Sequence, residues 1–328
     1  MDLKLFVITV FCVVGATLSA PTDKKFYNFG IIADLDQDAI IKSESGTYAS
    51  ILKFGQLQYV KGKYEFYVNA LGSSITTNYA YRGRGAELSE LVKFNNKYYT
   101  IDDKTGIVFE LDNYGYLIPW AILSNGNGKQ EDGFKAEWAT VKDDSLYVGS
   151  TSIVFNDPKK GVNDHSVYVK IISDRNIVTH KSWRSNYEKI KKAMKIPDTG
   201  FVWHESIIWS QKHKQWIMLP RKCSNEPFSH ETNEKVGCNK MIIANEKFTD
   251  IKIVEIKEKP QDSAAGFSSS KFLPGSDDNI IIALRTVEKD GKTSTSVVMF
   301  DLEGNILMKE RVIEKDKYEG IAFYMSEE

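Results

Sequence analysis

The sequence predicts an all-β protein, a sandwich, barrel or propeller, in which a fivefold recurrence would make a propeller of five radially arranged sheets, and three observations carry that expectation. Short apolar or alternating runs recur along the chain between polar turns, while long helical periodicity is scarce. The 16 Tyr and 17 Phe suit a pleated, half-buried surface better than a helix. Five oxygen-bearing residues, Ser89, Glu137, Glu205, Ser268 and Glu319, each stand at or near the start of an apolar strand, separated by 48, 68, 63 and 51 residues. Five loosely similar units of roughly 62 residues slightly exceed the 40–50 of strict blade repeats and leave room for loops.

Read from the N-terminus, residues 1–19 form a secretory signal. Lys4 supplies the charge, residues 5–14 form the apolar run, and Gly15, Ala16, Thr17, Ser19 and Ala20 supply the small residues around a cleavage site after Ser19. The remaining residues, 20–328, read as a single domain. A first strand ends near Asp34 and Asp36, which flank Leu35 and so face the same side of an extended chain. Strand pairs follow at 91–94, 98–101 and 107–111, turning at Asn95–Asn96 and at 102–106. Further pairs are 139–141 with 146–148 across Asp143–Asp144, 167–172 with 177–180, and 207–209 with 216–219. Runs at 280–284, 296–301 and 306–308 complete the series. The best helix candidate covers 186–194 and is stopped by Pro197.

Composition excludes several classes. The 43 Lys+Arg nearly balance 44 Asp+Glu, so the chain lacks the basic excess that a nucleic-acid or anionic-membrane binder needs. After the signal no window approaches 18 consecutive apolar residues, so no membrane span is expected in the mature chain. There is no phosphate-binding GxxxxGK[ST] loop, no HExxH, no CxxC and no N-glycosylation sequon in the mature chain. Cys12 leaves with the signal, and Cys223 and Cys238 remain on either side of a polar loop. In an oxidising compartment they suggest a disulfide, with two free thiols as the alternative.

The segments IADLD (32–36), GRGAELSEL (83–91), YTIDDKTG (99–106), GFKAEW (133–138), SWRSNY (182–187), HES (204–206), GFSSSKF (266–272) and YEGIAF (318–323) run in a single order over nearly the whole mature chain. In that order and near that spacing they resemble the calcium-activated nucleotidases, or Cimex-type apyrases. The secretory signal and neutral charge are similar to those of salivary members from blood-feeding insects such as sand flies. The resemblance implies a five-bladed propeller with one Ca²⁺ in its channel, held by Ser89, Glu137, Glu205, Ser268 and Glu319. Calcium takes six to eight oxygen ligands, so carboxylates with hydroxyls or carbonyls suit it.

The implied reaction is hydrolysis of ATP and ADP to AMP and orthophosphate by a secreted, salivary enzyme that removes host ADP and thereby restrains platelet aggregation; a monomer is expected, with a dimer as the alternative. Without a P-loop, phosphate must be held by a metal and basic side chains while a carboxylate positions water. Asp34, Asp36, Asp103 and Glu87 are the candidates for that carboxylate role. Asp102 beside Asp103 also reads as a turn residue. Arg84, Lys135 and Arg221 are expected around the anionic substrate, with Trp138 and Trp183 as stacking platforms for the base. Lys104 stands where the family usually has Arg and offers only a point charge. His204 reads as a structural neighbour of the metal site. The competing readings are a calcium propeller acting as a lactonase or esterase, which favours His and Asn near the metal, and a non-enzymatic extracellular binding propeller.

Overall fold

The computed structural model describes residues 24–112, 114–157 and 161–324; the predicted signal at 1–19 lies outside them. Five antiparallel sheets form the blades. The first joins the two ends of the chain: its inner strand is Tyr318–Tyr324, followed outward by Lys24–Ala33, Tyr48–Val60 and Lys63–Val68. The second runs outward through Leu88–Phe94, Lys97–Asp102, Ile107–Leu111 and Leu117–Ile122. The third comprises Trp138–Lys142, Ser145–Gly149, Tyr168–Ser173 and Val178–Ser182. The fourth comprises Phe201–Ser210, Gln215–Ser224, Lys240–Asn245 and Ile251–Glu255. The fifth comprises Gly266–Phe272, Ile280–Lys289, Lys292–Asp301 and Ile306–Glu314. Each inner strand neighbours the inner strands of the adjacent blades, and the pairing of Tyr318–Tyr324 with Lys24–Ala33 closes the ring.

Side chains alternate across a strand, and here both faces are buried. Ile207 joins the core between the third and fourth blades, whereas the adjacent Ile208 joins the core between the fourth and fifth. In the fifth blade Val298 and Phe300 face the fourth, while Val297 and Met299 face the first. This double burial explains why the sequence shows runs such as Ile280, Ile281 and Ile282 instead of clean alternation. Tight hairpins at Asn95–Asn96 and Asp143–Asp144 have positive φ at both central residues (47° and 61°; 47° and 55°), conformations that Asn and Asp tolerate. The helix expected at 186–194 is Arg184–Ala193, packed through Tyr187 and Ile190. Cys223 and Cys238 form a disulfide with Cα atoms 5.2 Å apart. Among the described residues no helix is long and apolar enough to cross a membrane.

Candidate active site at the channel mouth

The five spaced oxygen-bearing residues fall one per blade, on or just before its inner strand. On four strands the ladder slips there. Ser89 and Glu90 lie in the slip between Leu88 and Leu91, and Ser268 in that between Phe267 and Ser269. Glu205 has no opposite partner between His204 and Ser206, nor has Glu319 between Tyr318 and Gly320. On the third blade Glu137 sits just before the inner strand, its N–H donating to the Gly149 carbonyl at 2.8 Å. A bulge takes a residue out of the alternation and re-aims its side chain, which is what a shared central target requires. All five are at most 3% exposed.

The three hub glutamates influence one another. The Arg221 guanidinium bridges Glu205 (2.5 Å) and Glu319 (2.7 Å), tying the fourth blade to the first. Lys135 reaches Glu137 at 2.5 Å, and the Trp203 indole N–H donates to Glu205 at 2.7 Å. Burial, reinforced by the charges of Glu205 and Asp103, pushes the Glu137 carboxyl up to about 8 against the pull of Lys135. Burial likewise holds Glu319 well above the usual carboxylate range. The buried Ser89 hydroxyl has no hydrogen-bond partner, whereas the Ser268 hydroxyl donates to the Tyr318 carbonyl at 3.0 Å. Three like charges crowded out of water beside an unpartnered oxygen suit a divalent cation, which relieves their repulsion and takes many oxygen ligands.

Two residues before each hub position lies a second tier: Glu87, Lys135, Trp203, Gly266 and Lys317. Gly266 is required by close approach, because a Cβ there would lie 1.7 Å from the Arg221 carbonyl oxygen. Above the tier, loops bring further charges together. Lys317 holds Asp34 at 2.7 Å and Asp36 at 2.8 Å, and Arg84 reaches Asp36 at 3.3 Å. Arg84 also grips Glu87 through Nε and Nη2, both at 2.6 Å. Asp103 receives Lys104 at 3.0 Å and Lys135 at 2.6 Å, leaving its Oδ1 without a hydrogen-bond partner. Burial, with Asp103 and Asp34 nearby, raises Glu87 to about 7 despite Lys104 and Arg84. For Asp34, burial is outweighed by Lys317 and the Asp36 backbone N–H, which hold it below the usual range. Oxygens of Asp34, Asp36 and Glu87 lie within 4.8 Å of one another, a second acidic group able to hold a cation.

Several sequence expectations change their meaning. Asp34 and Asp36 do meet, though not by strand alternation: the strand ends at Ala33, and Asp36 starts a 3-10 turn with φ of 48°. Asp102 separates from Asp103, accepting the N–H groups of Ala86 and Lys104 at 2.8 Å and of Thr105 at 3.1 Å as the pin of its turn. Trp138 and Trp183 are 0% and 3% exposed and packed in the core between the third and fourth blades, where Trp183 meets Trp216 and Phe248 edge to face, so neither has a face open to a base. Arg221 is 4% exposed and committed to hub carboxylates, which makes it a tie between blades. Arg84 and Lys135, with side chains 35% and 42% exposed, are the cations open to an anion. His204 is buried against Tyr187 at 5.1 Å between ring centroids, and burial holds it neutral with a pKa near 3. Lys317 and Trp203 escaped the sequence reading, although the two-residue offset from Glu319 and Glu205 points to both.

A closed β-propeller that gathers buried carboxylates and cations in layers along its inner strands can hold a cation and meet an anion. The family described as Apyrase matches residues 35–324, and the chain belongs to it. It is 49% identical to an apyrase of Phlebotomus duboscqi over 100% of this chain and 98% of that one. It is 38% identical to an apyrase of Cimex lectularius, covering 93% and 85%. It is 37% identical to soluble calcium-activated nucleotidase 1 of Rattus norvegicus, covering 90% and 73%. The chain is accordingly a nucleoside phosphatase enzyme.

Proposed function

We propose that the chain is a secreted, Ca²⁺-dependent apyrase that converts ATP and ADP to AMP and orthophosphate, acting as a monomer in saliva to remove the ADP that drives platelet aggregation. The observation that carries the reading is the set of five buried oxygen-bearing residues, one per blade, four of them at a break in the strand ladder. Ser89, Glu137, Glu205, Ser268 and Glu319 would hold the ion. When bound, Ca²⁺ supplies positive charge that neutralises phosphate oxygens. Arg84 and Lys135 receive the remaining phosphate charge at the mouth. Asp103, with an unpartnered Oδ1, orients water for in-line attack on the terminal phosphorus and accepts its proton. Asp34, Asp36 and Glu87 keep Lys317 and Arg84 in place around it. The disulfide and the signal expected at 1–19 support an extracellular setting.

The test is orthophosphate release from ADP by the purified mature chain. Release with Ca²⁺, abolished by EDTA and not restored by Mg²⁺, is the expected result. Equal turnover with EDTA would remove the metal from the account.

A further inference from the structure

One residue past each hub position the inner strands carry Glu90, Trp138, Ser206, Ser269 and Gly320. Glu90, Ser206 and Ser269 are polar and at most 1% exposed. Ser206 meets Ser270 between the fourth and fifth blades, with hydroxyls 2.6 Å apart. Glu90 reaches further. Its Oε1 accepts from the Ser269 hydroxyl at 2.8 Å, from Lys271 Nζ at 3.0 Å and from the Leu91 N–H at 2.8 Å. The Ser269 hydroxyl in turn accepts from the Ile321 N–H at 3.3 Å. The inner strand of the first blade lies between those of the second and the fifth, so this cluster joins two blades through the one that separates them. Gly320 makes the room: a Cβ there would lie 2.4 Å from the Leu91 nitrogen and 2.6 Å from the Glu90 carbonyl carbon.

The cluster spans the two strand breaks that carry the hub serines. Ser89 and Glu90 share the slip between Leu88 and Leu91, and Ser268 occupies the slip just before Ser269. At a slip the ladder no longer fixes the backbone, so side chains must set the direction of Ser89 and Ser268. The bond from Ser269 to Glu90 ties one break to the other. We propose that Glu90 is a positioning residue: held by Ser269 and Lys271, it fixes the breaks at Ser89 and Ser268 and so sets the affinity of the hub for Ca²⁺. The proposal rests on the reading of the hub as the calcium site. Groups that orient metal ligands govern affinity, because a ligand released from its orientation must be ordered again on binding.

The experiment titrates Ca²⁺ into the metal-stripped mature chain by calorimetry, for the wild type, Glu90→Ala, Ser269→Ala and Glu90→Gln, with urea unfolding of each metal-free chain alongside. Glu90→Ala is expected to raise Kd about 10–100-fold at unchanged stoichiometry, the scale of losing a group that orients a metal ligand. Ser269→Ala is the smaller change, since Glu90 keeps Lys271 and the Leu91 N–H. It should raise Kd about tenfold, and it carries the test if Glu90→Ala does not fold. Glu90→Gln keeps an acceptor for Ser269 while losing the charge, so it should bind Ca²⁺ more tightly than Glu90→Ala. Equal losses in those two variants would make Glu90 a charge and not a positioner, and overturn the proposal. So would a Kd within about twofold of wild type for Ser269→Ala and any folded Glu90→Ala, even with lowered stability in urea, because a purely structural role ends there. No Ca²⁺ binding by the wild-type chain would remove the calcium reading of the hub, and the proposal with it.

Discussion

The hub and the mouth of the channel use the same residue types in opposite ways. Hub glutamates sit on or beside inner strands, at most 3% exposed, their direction set by breaks in a hydrogen-bonded ladder. Mouth carboxylates sit mainly on turns, and each is met by a lysine from another segment: Lys317 for Asp34 and Asp36, Lys104 for Glu87, Lys135 for Asp103. A site on strands can hold a fixed set of ligands around one ion. A site on loops can exchange cations between carboxylates and an arriving anion. Under the proposed function, the difference would give affinity for metal to the hub and turnover to the mouth.

The largest effect should follow damage to the hub. Glu319→Gln removes one charge from the proposed ligand set and unbalances Arg221, so phosphate release from ADP should fall on the order of a thousandfold, as expected when several kcal/mol of metal-derived stabilisation is lost. Steady-state assay at saturating Ca²⁺ reads this, and near-wild-type activity would break the assignment. At the mouth, Asp103→Asn should lower kcat about a hundredfold, the scale of losing a positioned base, while leaving Ca²⁺ stoichiometry intact. Loss of both together would merge the two regions.

A smaller effect sharpens the contrast through a buried lysine that has no acid. Lys135 and Lys317 are held well above the usual lysine value by their carboxylates, although burial opposes this. Lys170 is fully buried against the Phe134 and Tyr168 rings and reaches the Gly126 carbonyl and His180 Nδ1, with no carboxylate partner among the described residues, and burial lowers it to about 8. The unfolded chain, with a lysine value near 10.4, binds that proton more readily. Stability therefore falls as pH drops from about 10 to 8, and the cost is complete below about 8. Relative to Lys170→Met, the wild-type chain should gain about 2–3 kcal/mol between pH 7.5 and 10 in urea unfolding. A difference independent of pH would show that Lys170 is solvated.

Much of this arrangement was legible before the fold. The hairpin turns at Asn95–Asn96 and Asp143–Asp144 follow from residue types that tolerate positive φ. The fivefold recurrence from Ser89 to Glu319 marked one position per blade. The outer part of the first blade was not foreseen, because in Tyr48–Val60 and Lys63–Val68 the apolar residues are interspersed with Lys, Gln, Glu and Gly around the Lys61–Gly62 turn and form no continuous run. Nor does a single sequence reveal that Tyr318–Tyr324 pairs with the N-terminal strand, a contact nearly 300 residues apart. At the site, residue type misled where burial decides. Trp138 and Trp183 have the chemistry to stack on a base, and packing spends it on the core. Bulges hid the second tier, since the offset of two that relates Lys317 to Glu319 gains its meaning only once both are known to face the channel.

Calorimetric titration of Ca²⁺ into the metal-stripped chain tests the central claim most directly, with Glu205→Gln and Asp34→Asn measured alongside. The account predicts one ion per wild-type chain, none for Glu205→Gln, and one for Asp34→Asn. Full binding by Glu205→Gln together with its loss in Asp34→Asn would place the ion among Asp34, Asp36 and Glu87 and contradict the hub.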